Sequence, residues 1–276
     1  MTQRADPQSQ SGTIEAKPAI PAATMTALTV LLPLYNEAGS LSATLDVVLE
    51  FAAREPDVRF VFVDDGSRDA TLSILRERLG GEGATPNVAF ISYPENRGKG
   101  HAIRTGIAGL RGSNDELVVF MDGDMAYGLD HLAPMVEALT APPGRGGYEV
   151  VIGSRRESPQ ERRNTRKLRR LMGWTFNRLV QVGMGLPFED TQAGLKGFHL
   201  GVAREVFPRV TLRGFAFDVE ALFIAKRLGH TIGEIPARVA RAHRRKPSNV
   251  NLLLEPVKMA GDLLRIRLNA LLGRYR

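Results

Sequence analysis

The sequence contains no cysteine. Disulfides, thiolate zinc sites and cysteine nucleophiles are therefore excluded, and nothing calls for an oxidising compartment. Also missing is any apolar run approaching the roughly 18–20 residues of a spanning helix. The longest candidates are broken by Gly, Pro or Arg, so the chain is not expected to cross a membrane by itself. Residues 1–26 lack an apolar segment and are rich in Pro, Ser, Gln, Thr and Ala. They are expected to form a disordered leader and not a signal peptide. After the first expected strand the chain reads LLPLYNEAGS, without G-x-G-x-x-G, which disfavours a dinucleotide cofactor. No G-x-x-x-x-G-K-[ST] occurs, so the chain is not an ordinary P-loop NTPase.

What is present is a 276-residue chain with 43% hydrophobic residues, enough for one large α/β domain with a terminal appendage. Its net charge of +7 is unevenly placed. Segment 154–178 holds nine Lys/Arg against Glu157 and Glu161, and segment 238–276 holds ten against Glu255 and Asp262. Those sums are +7 and +8, which leaves the remainder near −8. Basic charge concentrated in two stretches points to a polyanionic partner, with nucleic acid, an anionic membrane and a phosphorylated substrate all open at this stage.

From Leu28 onward, short apolar runs alternate with helical-period segments, the pattern of successive βα units and a mostly parallel sheet. Strands are expected at Leu28–Leu32, Arg59–Val63, Val88–Ser92, Leu117–Met121 and Val150–Ile152. Helices are expected at Leu41–Arg54, Ala70–Leu79, Gly100–Leu110 and His131–Leu139, with Ser40 and Asp69 as N-caps. Further on, a helix is expected around Val219–Arg227 and a strand near Ile232–Val239, then a basic helical region over residues 246–276 with a break near Pro256.

Ligands of open parallel sheets bind beyond the carboxyl ends of the strands. Unusual polar residues recur there: Tyr35, Asn36 and Glu37, then Asp64 and Asp65, then Asn96 to Gly98, then Asp122 to Asp124, then Gly153 to Arg155. Five such groups in succession are hard to assign to solubility. Asp122 and Asp124, held around Gly123, can face one hard cation while leaving ligand positions for phosphate oxygens and water. An acidic turn capping the next helix is the bland alternative. An EF-hand fails because Ala126 stands at the third ligand position. Asp64 and Asp65 can accept hydrogen bonds from a base or ribose, although Asp64–Ser67 could equally cap a helix.

The ordered set PLYNE (Pro33–Glu37), DDGSRDAT (Asp64–Thr71), NRGKGHA (Asn96–Ala102), DGD (Asp122–Asp124), GSR (Gly153–Arg155) and DTQAGLKGF (Asp190–Phe198) resembles the family 2 glycosyltransferases of GT-A fold. It is similar in particular to dolichyl- and polyprenyl-phosphate glucosyl- and mannosyltransferases, with DTQAGLKGF leaning toward the glucosyl type. The resemblance spans about residues 27–270 and implies a single GT-A, Rossmann-like domain over residues 27–245. It also implies roles by position. Pro33, Tyr35, Glu37, Asp64, Asp65, Lys99, Asp122 and Gly123 would hold the nucleotide sugar, UDP-glucose or GDP-mannose. Asp122 and Asp124 would coordinate Mg²⁺ or Mn²⁺, Arg155 would meet phosphate charge, and Asp190 would act in catalysis or sugar positioning. The family's common D-A-D reads Asp122-Gly123-Asp124, and its late G-S-K reads Pro247-Ser248-Asn249. Acceptor phosphate and membrane contacts would then fall to Arg166, Arg169, Arg170, Arg244, Arg245 and Ser248.

A phosphate acceptor is already anionic at neutral pH and needs no strong base, whereas an alcohol acceptor would need one, such as Asp190. Single in-line displacement gives inversion. The stretch Arg162–Arg178 interleaves Leu168, Leu171, Met172, Trp174 and Phe176 with arginines. It suits either an interfacial helix on an anionic membrane or a solvated basic helix packed on the core. The expected place is peripheral, on the cytoplasmic face of the membrane, with a polyprenyl or dolichyl phosphate as acceptor. A soluble or polysaccharide acceptor is the rival within the family. A nucleic-acid-binding module would explain the charge but not the acidic row, so nucleic acid is not an expected partner.

Overall fold

The computed structural model describes residues 27–81, 85–142, 144–155, 177–214, 216–239 and 255–276. Their centre is a seven-stranded sheet of order β3-β2-β1-β4-β6-β5-β7. The strands are β1 (Leu28–Leu34), β2 (Val58–Asp64), β3 (Val88–Ser92), β4 (Leu117–Met121), β5 (Val150–Ser154), β6 (Leu195–His199) and β7 (Ile232–Pro236). The helices are α1 (Ala38–Arg54), α2 (Thr71–Leu79), α3 (Lys99–Gly109), α4 (Leu132–Thr140), a helical segment α5 over 177–184, α6 (Leu200–Val206), α7 (Phe217–Arg227) and α8 (Glu255–Leu271).

The mostly parallel sheet expected from the sequence is the one found. β1, LTVLLPL, is apolar at almost every position because it lies in the middle of the sheet, parallel to both β2 and β4, with helices on both faces. On one side α1 buries Leu41, Leu45, Val48 and Ala52, a 3.6-residue stripe, in a core shared with α2 and α4. On the other side α3, α6, α7 and α8 enclose a second core around Phe120, Phe198, Phe207 and Phe217.

β6 was not expected. It runs antiparallel between β4 and β5, pairing Val119 with Gly197 and Ile152 with Lys196. Its sequence, LKGFH, hides it, because a lysine and a glycine interrupt the apolar run that marks a central strand. Lys196 is fully buried there, and its Nζ lies 2.7 Å from Asp218 Oδ1 in the first turn of α7. Burial pulls the Lys196 ammonium below the usual lysine range, against the opposing pull of Asp218. Gly197 lets the α4 side chains pack close, since a Cβ there would lie 2.8 Å from Leu139 Cδ1 and displace it.

The pair also yields an expected stability effect. Asp218→Asn leaves a buried ammonium unpaired and should cost about 3–5 kcal/mol, whereas Lys196→Met with Asp218→Val should recover most of it. Urea unfolding of the single and double variants checks this. A single variant as stable as the parent would mean that the charge is not buried.

Ser40 does not cap α1, which begins earlier; instead its hydroxyl donates to Glu37 Oε2 at 2.7 Å. Asp69 is not the N-cap residue of α2 either, a place taken by Ala70, but its carboxylate meets the first N–H of two helices. Its Oδ1 accepts the Thr71 N–H of α2 at 3.0 Å, and its Oδ2 accepts the Ala38 N–H of α1 at 3.1 Å. Pro256 falls in the first turn of α8, where a missing N–H costs nothing.

Candidate active site

The chain leaves β1 toward β2 on one side, while β4 pairs with β1 on the other. The carboxyl ends of β1 and β4 therefore diverge over a crevice, the topological switch point of the sheet. Among the described residues, only Asn36 and Met125 are non-glycine residues at positive φ, each at 55°, and they stand just past those two strand ends. Left-handed backbone at such residues costs energy and is kept where a loop must be aimed.

Asp122 and Asp124 leave β4 in a tight turn in which the Met125 N–H donates to Asp122 C=O at 3.0 Å. Gly123 has to be a glycine: a Cβ would lie 2.5 Å from the Pro33 carbonyl oxygen and 2.4 Å from Leu34 Cδ2. The turn is thereby pressed on the end of β1. Gly194, in the loop before β6, serves the same purpose from another side, because a Cβ there would fall on the Asp122 carboxylate, 1.8 Å from Oδ2. Lys99, at the start of α3, donates from Nζ to Asp122 Oδ1 at 2.6 Å. Burial would push the Asp122 carboxyl up, but the neighbouring Lys99, Lys196 and Arg155 charges hold it below the usual carboxylate range. Asp124 Oδ1 accepts the Ala126 N–H at 3.1 Å.

Arg155, at the end of β5, and Asp190, before β6, form a bidentate pair. Nε donates to Oδ2 at 2.5 Å and Nη2 to Oδ1 at 2.9 Å, and the Arg155 backbone N–H adds a third bond to Oδ2 at 3.3 Å. Burial works against the Asp190 carboxylate, yet Arg155 keeps it below the usual range and is itself held above the usual guanidinium value. Asp190 is 8% exposed and the Arg155 side chain 44%, so the carboxylate is closed off while the arginine side chain stays partly exposed.

The nucleotide-side candidates fall in two groups. Tyr35 is exposed at 42% beside the crevice. The backbone around it is clipped to the loop after β2: the Asn36 N–H donates to Ser67 Oγ at 2.9 Å, the Arg68 N–H to Asn36 Oδ1 at 2.8 Å and the Glu37 N–H to Thr71 Oγ1 at 2.9 Å. Asp64 accepts from the Ser67 N–H at 3.1 Å and from Ser92 Oγ at 2.9 Å. Asp65 is the hub of the loop after β3. Its Oδ1 accepts from Tyr93 Oη at 2.7 Å and the Arg97 N–H at 2.8 Å, and its Oδ2 from Asn96 Nδ2 at 2.9 Å and the Gly98 N–H at 2.8 Å. Four donors on one carboxylate tie down the segment that delivers Lys99 to Asp122. That service between neighbouring loops was not read from the sequence, although the short hydroxyl and amide side chains of DGSRDAT and YPEN were its signal.

Asp122, Asp124, Arg155, Asp190 and Lys99 thus converge on one crevice, with Lys196 and Asp218 beneath it; the last two were missed. Arg166, Arg169, Arg170, Arg244, Arg245 and Ser248 lie outside the described residues.

Sequence relationships match this geometry. The family model for glycosyl transferase family 2 matches residues 29–203, from β1 into α6. The chain belongs to that family. Among characterised relatives, the dolichyl-phosphate β-glucosyltransferase of Saccharomyces cerevisiae is 32% identical over 90% of this chain and 76% of its own length. The human enzyme of the same name is 31% identical over 90% of this chain and 77% of its own. Among solved structures, glucosyl-3-phosphoglycerate synthase of Mycobacterium tuberculosis superposes with a TM-score of 0.63 at 19% identity, covering 88% of this chain and 82% of that one. Mannosyl-3-phosphoglycerate synthase of Rubrobacter xylanophilus gives 0.57 at 20% identity, over 90% and 75%. At such identities the likeness establishes the shared glycosyltransferase fold. The Mycobacterium enzyme has also been crystallised with Mn²⁺, UDP-glucose and phosphoglyceric acid, and with Mg²⁺ and UDP.

Proposed function

We propose that this glycosyltransferase moves glucose from UDP-glucose to a dolichyl or polyprenyl phosphate, with inversion at the anomeric carbon, at a membrane surface. The observation that carries this reading is the relation, over 90% of the chain, to enzymes named for transfer of glucose to dolichyl phosphate.

The residues of the crevice suit a divalent cation. Asp122 and Asp124 are hard oxygen donors, and Asp122, Asp124, Asp190 and Asp218 together exceed the charge of Lys99, Lys196 and Arg155. Solved structures of the same fold hold Mn²⁺ or Mg²⁺ with UDP. Mg²⁺ or Mn²⁺ held by Asp122 and Asp124 would screen the diphosphate and stabilise it as a leaving group. Other contributions come from the chain itself. Tyr35, Pro33, Glu37 and Asp64 line the nucleoside end, with Asp64 set by Ser67 and Ser92. Gly123 lets the turn lie against β1. Lys99 and the partly exposed Arg155 meet phosphate charge.

The acceptor phosphate oxygen forms a bond to the anomeric carbon as the bond to UDP breaks, and no proton has to leave the acceptor. Asp190, closed into its pair with Arg155, is suited to orienting that guanidinium and poorly suited to taking a proton.

Incubation with UDP-[¹⁴C]glucose and a short polyprenyl phosphate should move label into the organic phase. Label that stays in water with every lipid acceptor, while a soluble phosphorylated acceptor is glucosylated, would replace this reading. In the same assay Asp64→Ala should raise KM for the donor about tenfold with little change in kcat, since it removes binding made equally in ground and transition states. A fall in kcat at unchanged KM would put Asp64 at the reacting centre.

A further inference from the structure

α8 carries two apolar faces. One, formed by Leu263, Ile266 and Ala270, is packed in the same core as α7. It is anchored by Tyr275, whose hydroxyl donates to buried Glu220 at 2.5 Å, and by Asn269, which reaches Thr211 Oγ1 at 3.2 Å. The other face looks outward. Leu264, Leu268 and Leu271 are 73%, 56% and 85% exposed and fall within about 60° of the helix circumference at 100° per residue. Leu272, at 61%, extends the stripe. Arg267 lies at one edge of it, and Arg265 and Lys258 at the other, all exposed.

Arg267 Nε donates to Gly183 C=O at 2.5 Å, which joins α8 to the end of α5, and α5 presents Leu179 and Val182 at 50% and 75% exposure. Beside Val182 opens a concavity of about 450 Å³ whose lining includes Arg178 and Lys226. Apart from Tyr35 and Val47, every exposed large apolar side chain among the described residues belongs to this α5–α8 surface.

We infer that the outer face of α8, with the adjoining end of α5, docks on an anionic phospholipid bilayer, the leucines entering the acyl boundary and the flanking Arg and Lys reaching lipid phosphate. Charge complementarity selects this occupant. Long cationic side chains on both edges of an apolar stripe can lay their stems along it and raise their heads to the phosphate level, which is the pattern of a helix lying in the interface plane. The inference builds on the lipid acceptor of the proposed function, but the vesicle-binding measurements that decide it need neither donor nor acceptor.

Because the chain has no cysteine, Leu268→Cys in the full-length protein gives one site for an environment-sensitive fluorophore. Its emission should shift to the blue with phosphatidylcholine vesicles containing phosphatidylglycerol, and stay unchanged with phosphatidylcholine alone at low protein concentration. Leu264→Ser with Leu268→Ser and Leu271→Ser should lower partition onto the anionic vesicles at raised salt at least about tenfold, because the apolar share of binding is not screened. Transfer to a short, water-soluble polyprenyl phosphate should stay at the parent level.

Emission that stays unshifted while the protein sediments with vesicles would overturn the docking face. A blue shift that follows protein concentration without vesicles would assign the face to a second copy of the chain and overturn it too. Should the triple variant misfold, the labelled single variant still decides. Parent protein that binds vesicles through α8 yet glucosylates no lipid phosphate would refute the proposed function and leave the docking face intact.

Discussion

Asp124→Asn, or Asp122→Asn, is expected to lower transfer at least about a hundredfold while the fold survives. On the proposed function each change would remove a charged oxygen ligand of the cation and almost no volume, and several kcal/mol of leaving-group stabilisation would go with it. EDTA should abolish parent activity, and Mg²⁺ or Mn²⁺ should restore it. Asp122 has a second duty, since its Oδ1 receives Lys99 Nζ at 2.6 Å, so loss of activity in Asp122→Asn could come from a displaced lysine. Direct titration of Mn²⁺ by electron paramagnetic resonance separates the two causes: both variants should bind Mn²⁺ at least tenfold more weakly in the presence of UDP. Full turnover in chelator, or unaltered Mn²⁺ binding in both variants, would remove the cation from this turn.

Asp190→Asn is expected to cost about a hundredfold in kcat, through Arg155. The carboxylate accepts both edges of the Arg155 fork and its backbone N–H, and a neutral amide cannot hold a guanidinium in that pose with equal strength. Arg155→Lys should cost a similar factor, and the double variant should be no worse than the worse single one, because the two residues act as a unit. The pH profile decides between positioning and proton transfer. Arg155 holds the Asp190 carboxyl below the usual range, so it is ionised throughout the working pH, and the acid limb of kcat/KM should instead follow the second ionisation of the acceptor phosphate, near pH 6. A phosphonate acceptor with a different ionisation should move that limb. A limb that ignores the acceptor and disappears in Asp190→Asn would make Asp190 the base.

The same lowered values add to the acid sensitivity of the fold. A carboxylate depressed in the native state contributes stability above its ordinary value, about 3.9 for aspartate, and that contribution is lost as pH falls through the lower native value. For Asp122 and Asp190 the loss therefore lies below about pH 4 and leaves the neutral range untouched.

Much of this protein was legible along the chain. Leu117–Met121 stands out because a central strand covered on both faces is a continuous apolar run, whereas Val88–Ser92, at the sheet edge and buried only at Val88, is marked by its β-branched and aromatic residues. The acidic turn was legible for the complementary reason: polar residues crowd the carboxyl ends of such strands, where ligands are met. β6 was illegible because it breaks the pattern, with Lys196 and Gly197 at its centre. Locally the Lys196 ammonium finds only the neutral Ala193 carbonyl; the charge that balances it is Asp218, on a helix further along the chain.

The order of βα units, the acidic turn Asp122–Asp124 and the two basic stretches, 154–178 and 238–276, follow from the sequence alone, since each rests on neighbours a few residues apart. Only the tertiary structure decides that Asp65 spends its carboxylate on the 93–98 loop, that Asp190 is closed by Arg155, and that α8 keeps one apolar face packed and one bare. Those outcomes depend on hydrogen bonds, ion pairs and packing between residues brought together from distant parts of the chain. The periodicity of a segment reports how it meets a core or a solvent, and it carries no record of which remote partner satisfies a buried charge.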